Sequence, residues 1–251
     1  MKETDETPWH ERDDFWKTIG PLIFTSKIIE AAPQDIEHAI TMMKLEPGAR
    51  ICDLCCGIGR HSVELAKRGF QVTSVDRTIH YLERAKAKAK AERLDIEFVH
   101  QDARNFRRPV AFDAVINLYT SFGYFKDPGE NIAVLENINA SLKPGGKLLM
   151  ELMGKEVLAR IFQERDWRQE DDTILLEERK VGKNWEFIEA RWILFKGGQK
   201  HEQTFFTKLY SAVELIEMFS RCGFKAMETF GGLDGSPYDL KANRLTVLGC
   251  R

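Results

Sequence analysis

The sequence has no long apolar run: its longest obvious uncharged stretch, 114–125, is 12 residues and contains Asn, Thr, Ser and Gly. A bilayer span needs ~20 apolar residues, so a transmembrane helix is excluded. A basic start followed by an apolar stretch is missing too. The opening MKETDETPWHERDD is acidic and polar, and no secretory signal is expected. Excess charge of either sign is absent, since 37 Lys and Arg face 39 Asp and Glu for a formal charge of -2. No global positive field is there to hold a nucleic-acid backbone. The five cysteines are an odd number, and Cys52, Cys55 and Cys56 crowd into one short stretch, which is no extracellular disulfide framework. A reduced, cytoplasmic chain is expected. Cys52 and Cys55 have C-x-x-C spacing, but no second pair follows, and no metal site is expected.

What is present is rhythm. The 251 residues suit one domain carrying an insertion. From residue 50 onward, strand-like runs at 50–54, 71–76, 96–100, 112–118 and 147–152 alternate with helical runs at 59–68, 78–93 and 129–142. This alternation predicts βαβ units in a parallel sheet. Lys143-Pro144-Gly145-Gly146 reads as the turn before the fifth strand. After 153 the rhythm changes to three long strand-like runs, 171–181, 184–196 and 200–210, with Gly182 and Gly197-Gly198 between them. They predict an antiparallel insertion. A helix at 212–221 and strands at 224–230 and 244–250 resume the α/β pattern. Trp9, Phe15, Trp16 and Phe24 stand among charges at the start, and 36–45 reads as a helix after Pro33. The expected divisions are an N-terminal cap (1–45), a cofactor-binding core (46–153), an antiparallel substrate cap (154–211) and the completion of the core (212–251).

Asp53-Leu54-Cys55-Cys56-Gly57-Ile58-Gly59-Arg60 lies where the first strand turns into its helix. Two glycines two apart supply a tight turn and let a ligand approach backbone at a helix amino end. A dinucleotide fingerprint from Gly57 would need glycine or alanine at position 62, which is Ser62, and no Gly-Lys-Ser/Thr follows. A cofactor without phosphates fits better. Asp53 would repel pyrophosphate but can pair with an ammonium group. Asp76 ends the second strand, 19 residues after Gly57, where an acid accepts from ribose hydroxyls. Asp102 follows the third strand in Gln101-Asp102-Ala103 and can accept from an adenine amino group.

These motifs, in this order, resemble the class I S-adenosylmethionine-dependent methyltransferases over about residues 45–150. The resemblance implies a doubly wound, mainly parallel seven-stranded sheet with S-adenosyl-L-methionine as cofactor and S-adenosyl-L-homocysteine as product. It implies cofactor contacts from Trp16, Asp53, Cys55, Gly57, Gly59, Arg60, His61, Asp76, Arg77, Asp102, Ala103, Asn117 and Leu118. Cys55 stands where the family usually has the first glycine of its motif. The Gly-x-Gly-Arg-His run, Thr120-Ser121-Phe122-Gly123-Tyr124 and the insertion resemble the small-molecule subset, which includes sugar-amine and glycine-type N-methyltransferases.

Methyl transfer from a sulfonium needs mainly alignment and exclusion of water. Tyr119, Tyr124, His201 and Tyr238 are the candidate catalytic groups near the expected mouth, and Arg244 is a candidate partner for an anionic substrate group. The expected acceptor is a small molecule, methylated on nitrogen or oxygen, and the protein a monomer or homodimer. An RNA or protein methyltransferase is the alternative, as is a non-catalytic binder of the cofactor. Against RNA, Arg84, Lys86, Lys88, Lys90 and Arg93 are interspersed with Glu83 and Glu92, the pattern of a solvated helix face.

Overall fold

A computed structural model describes residues 7–170 and 172–251; the first six residues of the expected cap and position 171 lie outside the described residues. After a 3-10 turn at Trp9–Glu11 come two helices, α1 (Asp13–Ile23) and α2 (Ser26–Met43). The α/β alternation follows: β1 (Arg50–Leu54), α3 (Arg60–Lys67), β2 (Gln71–Asp76), α4 (Ile79–Ala91), β3 (Ile96–His100), β4 (Phe112–Asn117), α5 (Pro128–Ser141) and β5 (Leu142–Leu152). Helix α6 (Lys155–Ile161) leads into β6 (Arg165–Glu170), β7 (Thr173–Val181), β8 (Phe187–Lys196) and β9 (Gln199–Lys208). Helix α7 (Ala212–Arg221), β10 (Lys225–Phe230) and β11 (Leu245–Cys250) end the chain.

Seven strands form the main sheet in the order β10-β11-β5-β4-β1-β2-β3. Its pairs are parallel except those made by β11, which runs antiparallel to β5 and to β10. The insertion β6–β9 is a separate antiparallel sheet of four strands. Chain order reverses between β1 and β4, the place where open α/β sheets leave a crevice beyond their carboxyl ends.

Strand alternation divides the core between the two faces of the sheet. Ile51 packs with Ile36, Val63 and Ile116 on one side, and Cys52 and Leu54 pack with Val115, Leu148 and Phe219 on the other. Full burial of each such Leu, Ile or Phe contributes ~1.5–3 kcal/mol. In the insertion, Leu175 and Leu194 pack on Leu22 of α1, while Ile174, Leu176 and Phe195 face outward and are exposed. No described helix is long and apolar enough to cross a membrane.

Several expectations are corrected. The second helix starts at Ser26 and carries Pro33 inside it, because Thr25 caps it by accepting the Ile28 N–H. Helix α1 was not anticipated, nor were α6 and β6. The β6 sequence RDWRQE has no apolar alternation because it is an edge strand that pairs only with β7. Lys143–Gly146 belongs to β5 as an irregular first part, with Gly145 at φ 77° and a register shift against β4. Thr78 does precede α4, but its side chain makes no cap bond; instead its N–H donates to Asp76.

Candidate active site

The loop after β1 takes left-handed backbone at alternate residues: Cys55 (φ 63°), Gly57 (φ 56°) and Gly59 (φ 72°). This conformation costs a residue with a Cβ ~1–2 kcal/mol, so the cysteine at the usual glycine position carries strain. Gly57 donates its N–H to Asp76 Oδ2 at 2.8 Å, and Cys56 donates to the Val75 carbonyl at 3.0 Å. A Cβ on Gly57 would lie 2.8 Å from Phe24 Cζ. Gly59 opens α3, and a Cβ there would lie 2.7 Å from Ala85 Cβ of α4, so this glycine serves close helix packing.

Beyond the strand ends lies a cavity of about 310 Å³. Of the expected cofactor residues, Trp16, Cys55, Gly57, Arg60, His61, Asp76, Arg77, Asp102, Ala103 and Leu118 line it. Tyr119 and Tyr124 line it as well. Asp76 keeps its place at the tip of β2 through two backbone bonds, from Gly57 and from Thr78 at 2.8 Å. Burial pushes its carboxyl above the usual range, against the pull of those bonds. Asp102 is likewise penalised by burial, but bonds from the Arg104 side chain and N–H hold it below the usual range.

Asp53 is placed elsewhere. Leu54 lines the cavity, and strand alternation turns the preceding Asp53 away, where it accepts the Ser62 hydroxyl at 2.5 Å. Burial raises its carboxyl. The three acids therefore do not share one groove; Asp76 and Asp102 do. Asn117 is also off the wall: its Nδ2 donates to the Leu54 carbonyl at 3.0 Å, tying the ends of β1 and β4 together. Gly59 is off it for the packing reason given above. His201 sits exposed near the Gly197–Gly198 tip of the β8–β9 hairpin, while Phe205 farther along the same strand reaches the cavity. Tyr238 donates its hydroxyl to Glu156 at 2.8 Å, outside the cavity. Arg244 bonds Glu151 through Nε at 2.8 Å and lines a second cavity.

The roof is aromatic. Trp9 packs against Tyr124 with ring centroids 4.9 Å apart and against Phe205 of β9 at 5.4 Å, so the N-terminal segment and the insertion meet over the strand tips. Trp16 Nε1 donates to the His10 carbonyl at 2.9 Å, as does Arg77 Nη1. Arg104 clamps the segment down by pairing with Asp102, Glu11 and Glu130. Arg104 lies two residues after Asp102, and Trp192 and Phe205 belong to the expected insertion; no local pattern marked any of them. Burial pushes the Tyr119 and Tyr124 hydroxyls up, so neither is a base at neutral pH.

Residues 51–146 match a family described as a methyltransferase domain. The chain carries a methyltransferase domain. A Geobacillus (strain WCH70) protein provisionally named a methyltransferase is 33% identical over 153 residues, 59% of this chain and 62% of that relative. The match thus spans about three fifths of that curated relative's length. An S-adenosylmethionine-dependent methyltransferase of Clostridium acetobutylicum superposes with a TM-score of 0.80 at 16% identity, covering 95% of this chain and 98% of that one. The sugar N-methyltransferase KedS8 of Streptoalloteichus superposes with a TM-score of 0.66 at 19% identity, covering 95% and 92%. The fold of the domain is therefore that of the S-adenosylmethionine-dependent enzymes.

The domain's residues fit that cofactor. A carboxylate offers about four acceptor positions; Asp76 uses two for backbone and retains others for ribose hydroxyls. At Gly57, which lines the cavity, the missing Cβ makes room for the Phe24 ring. Among the described residues, no group of three or more His, Cys, Asp or Glu could hold a metal ion.

Proposed function

We propose that the chain methylates nitrogen or oxygen of a small molecule, with S-adenosylmethionine as donor and S-adenosylhomocysteine as product. The observation that carries this reading is the common cavity of Asp76, Asp102 and the Gly57 loop under an aromatic roof. Asp76 would hold the ribose, Asp102 and Ala103 the adenine, and the Cys55–Gly57 backbone with Arg60 and His61 the amino-acid end. When bound, the cofactor supplies a methyl group already activated on a sulfonium.

The protein's own part is positioning and drying. Trp9, Trp16, Tyr124 and Phe205 exclude water, and a well-held approach geometry can remove ~7–11 kcal/mol of the barrier. The enclosing roof supports a small acceptor over RNA or protein, which would need an open groove. The sugar N-methyltransferase likeness is compatible with this. The five free cysteines support a reducing compartment, the cytoplasm. The test is mass spectrometry of a panel of amines and hydroxyl compounds incubated with the protein and methyl-labelled cofactor. Labelled product from any member upholds the reading; tight cofactor binding with no product across the panel would favour a non-catalytic binder.

A further inference from the structure

His10 belongs to the 3-10 turn of the N-terminal segment, lines the first cavity and is only 6% exposed. Its carbonyl is engaged, accepting from Trp16 Nε1 and Arg77 Nη1, both at 2.9 Å. Its ring is not. Among the described residues neither imidazole nitrogen has a hydrogen-bond partner, and neither is fully enclosed. Packing alone fixes the plane: Trp9 and Phe125 meet the imidazole nearly perpendicular, with ring centroids 5.6 and 5.0 Å away. A buried polar group left unpaired is costly, and one on a cavity wall is paired by what fills the cavity.

The ring is also in the form that can accept. Burial, with the Arg104 and Arg77 guanidiniums adding to it, holds His10 below the usual histidine range against the pull of Glu11 and Asp102. A neutral imidazole keeps one lone pair at pH 7. Those four residues are the charged groups around the ring, and Asp102 lines the same cavity. Asp102 has little left to offer. Its Oδ1 accepts the Arg104 N–H at 2.8 Å and Nε at 3.0 Å, and its Oδ2 accepts Arg104 Nη2 at 2.8 Å. Of the roughly four acceptor positions on a carboxylate, about one remains. An adenine amino group brings two N–H donors into this enclosed site, so a second acceptor is needed, and His10 supplies it.

Resting on the S-adenosylmethionine reading, we infer that His10 recognises the adenine: one ring nitrogen accepts an N–H of the 6-amino group, while the free position on Asp102 accepts the other. The pair selects an amino donor at that place. A purine carrying hydrogen there leaves both acceptors unpaired, and a 6-oxo purine sets its oxygen against the Asp102 carboxylate. No proton is transferred in this contact. His10 follows Trp9 of the roof and precedes Glu11, which Arg104 pairs with, so the bond joins the N-terminal segment to the cofactor directly.

The test titrates S-adenosylhomocysteine, and its counterpart with unsubstituted purine in place of adenine, into wild type, His10→Phe and His10→Gln by calorimetry. His10→Phe keeps a ring beside Trp9 and Phe125 and removes the lone pair. It should weaken S-adenosylhomocysteine about tenfold and leave the purine counterpart within about twofold. His10→Gln, whose amide oxygen can accept, should keep part of the preference. In wild type followed by NMR, the imidazole nitrogens of His10 should shift with S-adenosylhomocysteine and much less with the purine counterpart. Equal losses for both ligands in His10→Phe, no loss for either, or an unmoved His10 ring in saturated wild type each overturn the inference, and the NMR measurement decides it even where a variant fails to fold. Failure of S-adenosylhomocysteine to bind wild type strikes the cofactor reading itself, and the inference with it.

Discussion

The Asp76 carboxylate accepts the Gly57 N–H at 2.8 Å, so the tip of β2 and the glycine loop after β1 are one unit. Any ligand that bonds Asp76 therefore also meets the loop backbone. Asp76→Asn removes the charge from this junction and leaves its shape. Hydrogen bonds to charged groups contribute ~1.5–3 kcal/mol, so S-adenosylhomocysteine affinity should fall about 10- to 100-fold. Isothermal calorimetry on the folded variant measures this.

The same residue links cofactor affinity to pH. Burial raises the Asp76 carboxyl in the free protein, whereas ribose hydroxyls would donate to its charged form and lower it again. Binding then expels a proton, and affinity should weaken as pH falls from 7 towards about 4, by at most about tenfold per unit. For stability the sign is reversed. A raised native carboxyl stabilises below the ordinary aspartate range of about 4, and this contribution is lost as pH rises through the raised value. Asp76→Asn should flatten both dependences, read by calorimetry and by thermal melting across the pH series.

Gly57 and Gly59 should tolerate substitution unequally. Both are left-handed, but the Cβ of Gly57→Ala meets the side chain of Phe24, whereas that of Gly59→Ala meets Ala85 Cβ at 2.7 Å, fixed on a packed helix. Strain of ~1–2 kcal/mol plus overpacking of ~1–3 kcal/mol should lower the melting temperature of Gly59→Ala by roughly 5–15 °C. Gly57→Ala should melt closer to wild type and lose mainly cofactor affinity.

Arg104 joins Asp102 at the cavity wall to the roof, since it pairs with Asp102 and with Glu11 of the N-terminal segment. Arg104→Ala leaves those carboxylates facing each other without a cation. The segment should then open more often, with faster proteolysis in residues 7–25 and about tenfold weaker S-adenosylhomocysteine binding. Arg104→Lys should recover part of the affinity.

Much of this architecture was legible because it is local. Strand tips, the glycine loop and the shift to antiparallel runs each leave a short pattern, and Asp76, Asp102 and Gly57, read from such patterns, line one cavity. Relations across the fold leave none. Asp35 reaches His61 over 26 residues and Arg104 reaches Glu11 over 93, and nothing near either residue announces it. His201 shows the limit of reading strands alone, because its distance from the hairpin tip set its exposure. Asp53 shows a pattern left unused: alternation from Leu54 already turned it from the crevice.

The central claim is that the cavity over β1, β2 and β4 holds an adenosyl amino acid without phosphates. Calorimetric titration of the wild-type protein with S-adenosylhomocysteine, and separately with ATP and NAD, tests it most directly. One equivalent of S-adenosylhomocysteine should bind at micromolar concentration, with neither nucleotide competing. Tight binding of ATP or NAD, with no heat from S-adenosylhomocysteine, would contradict it.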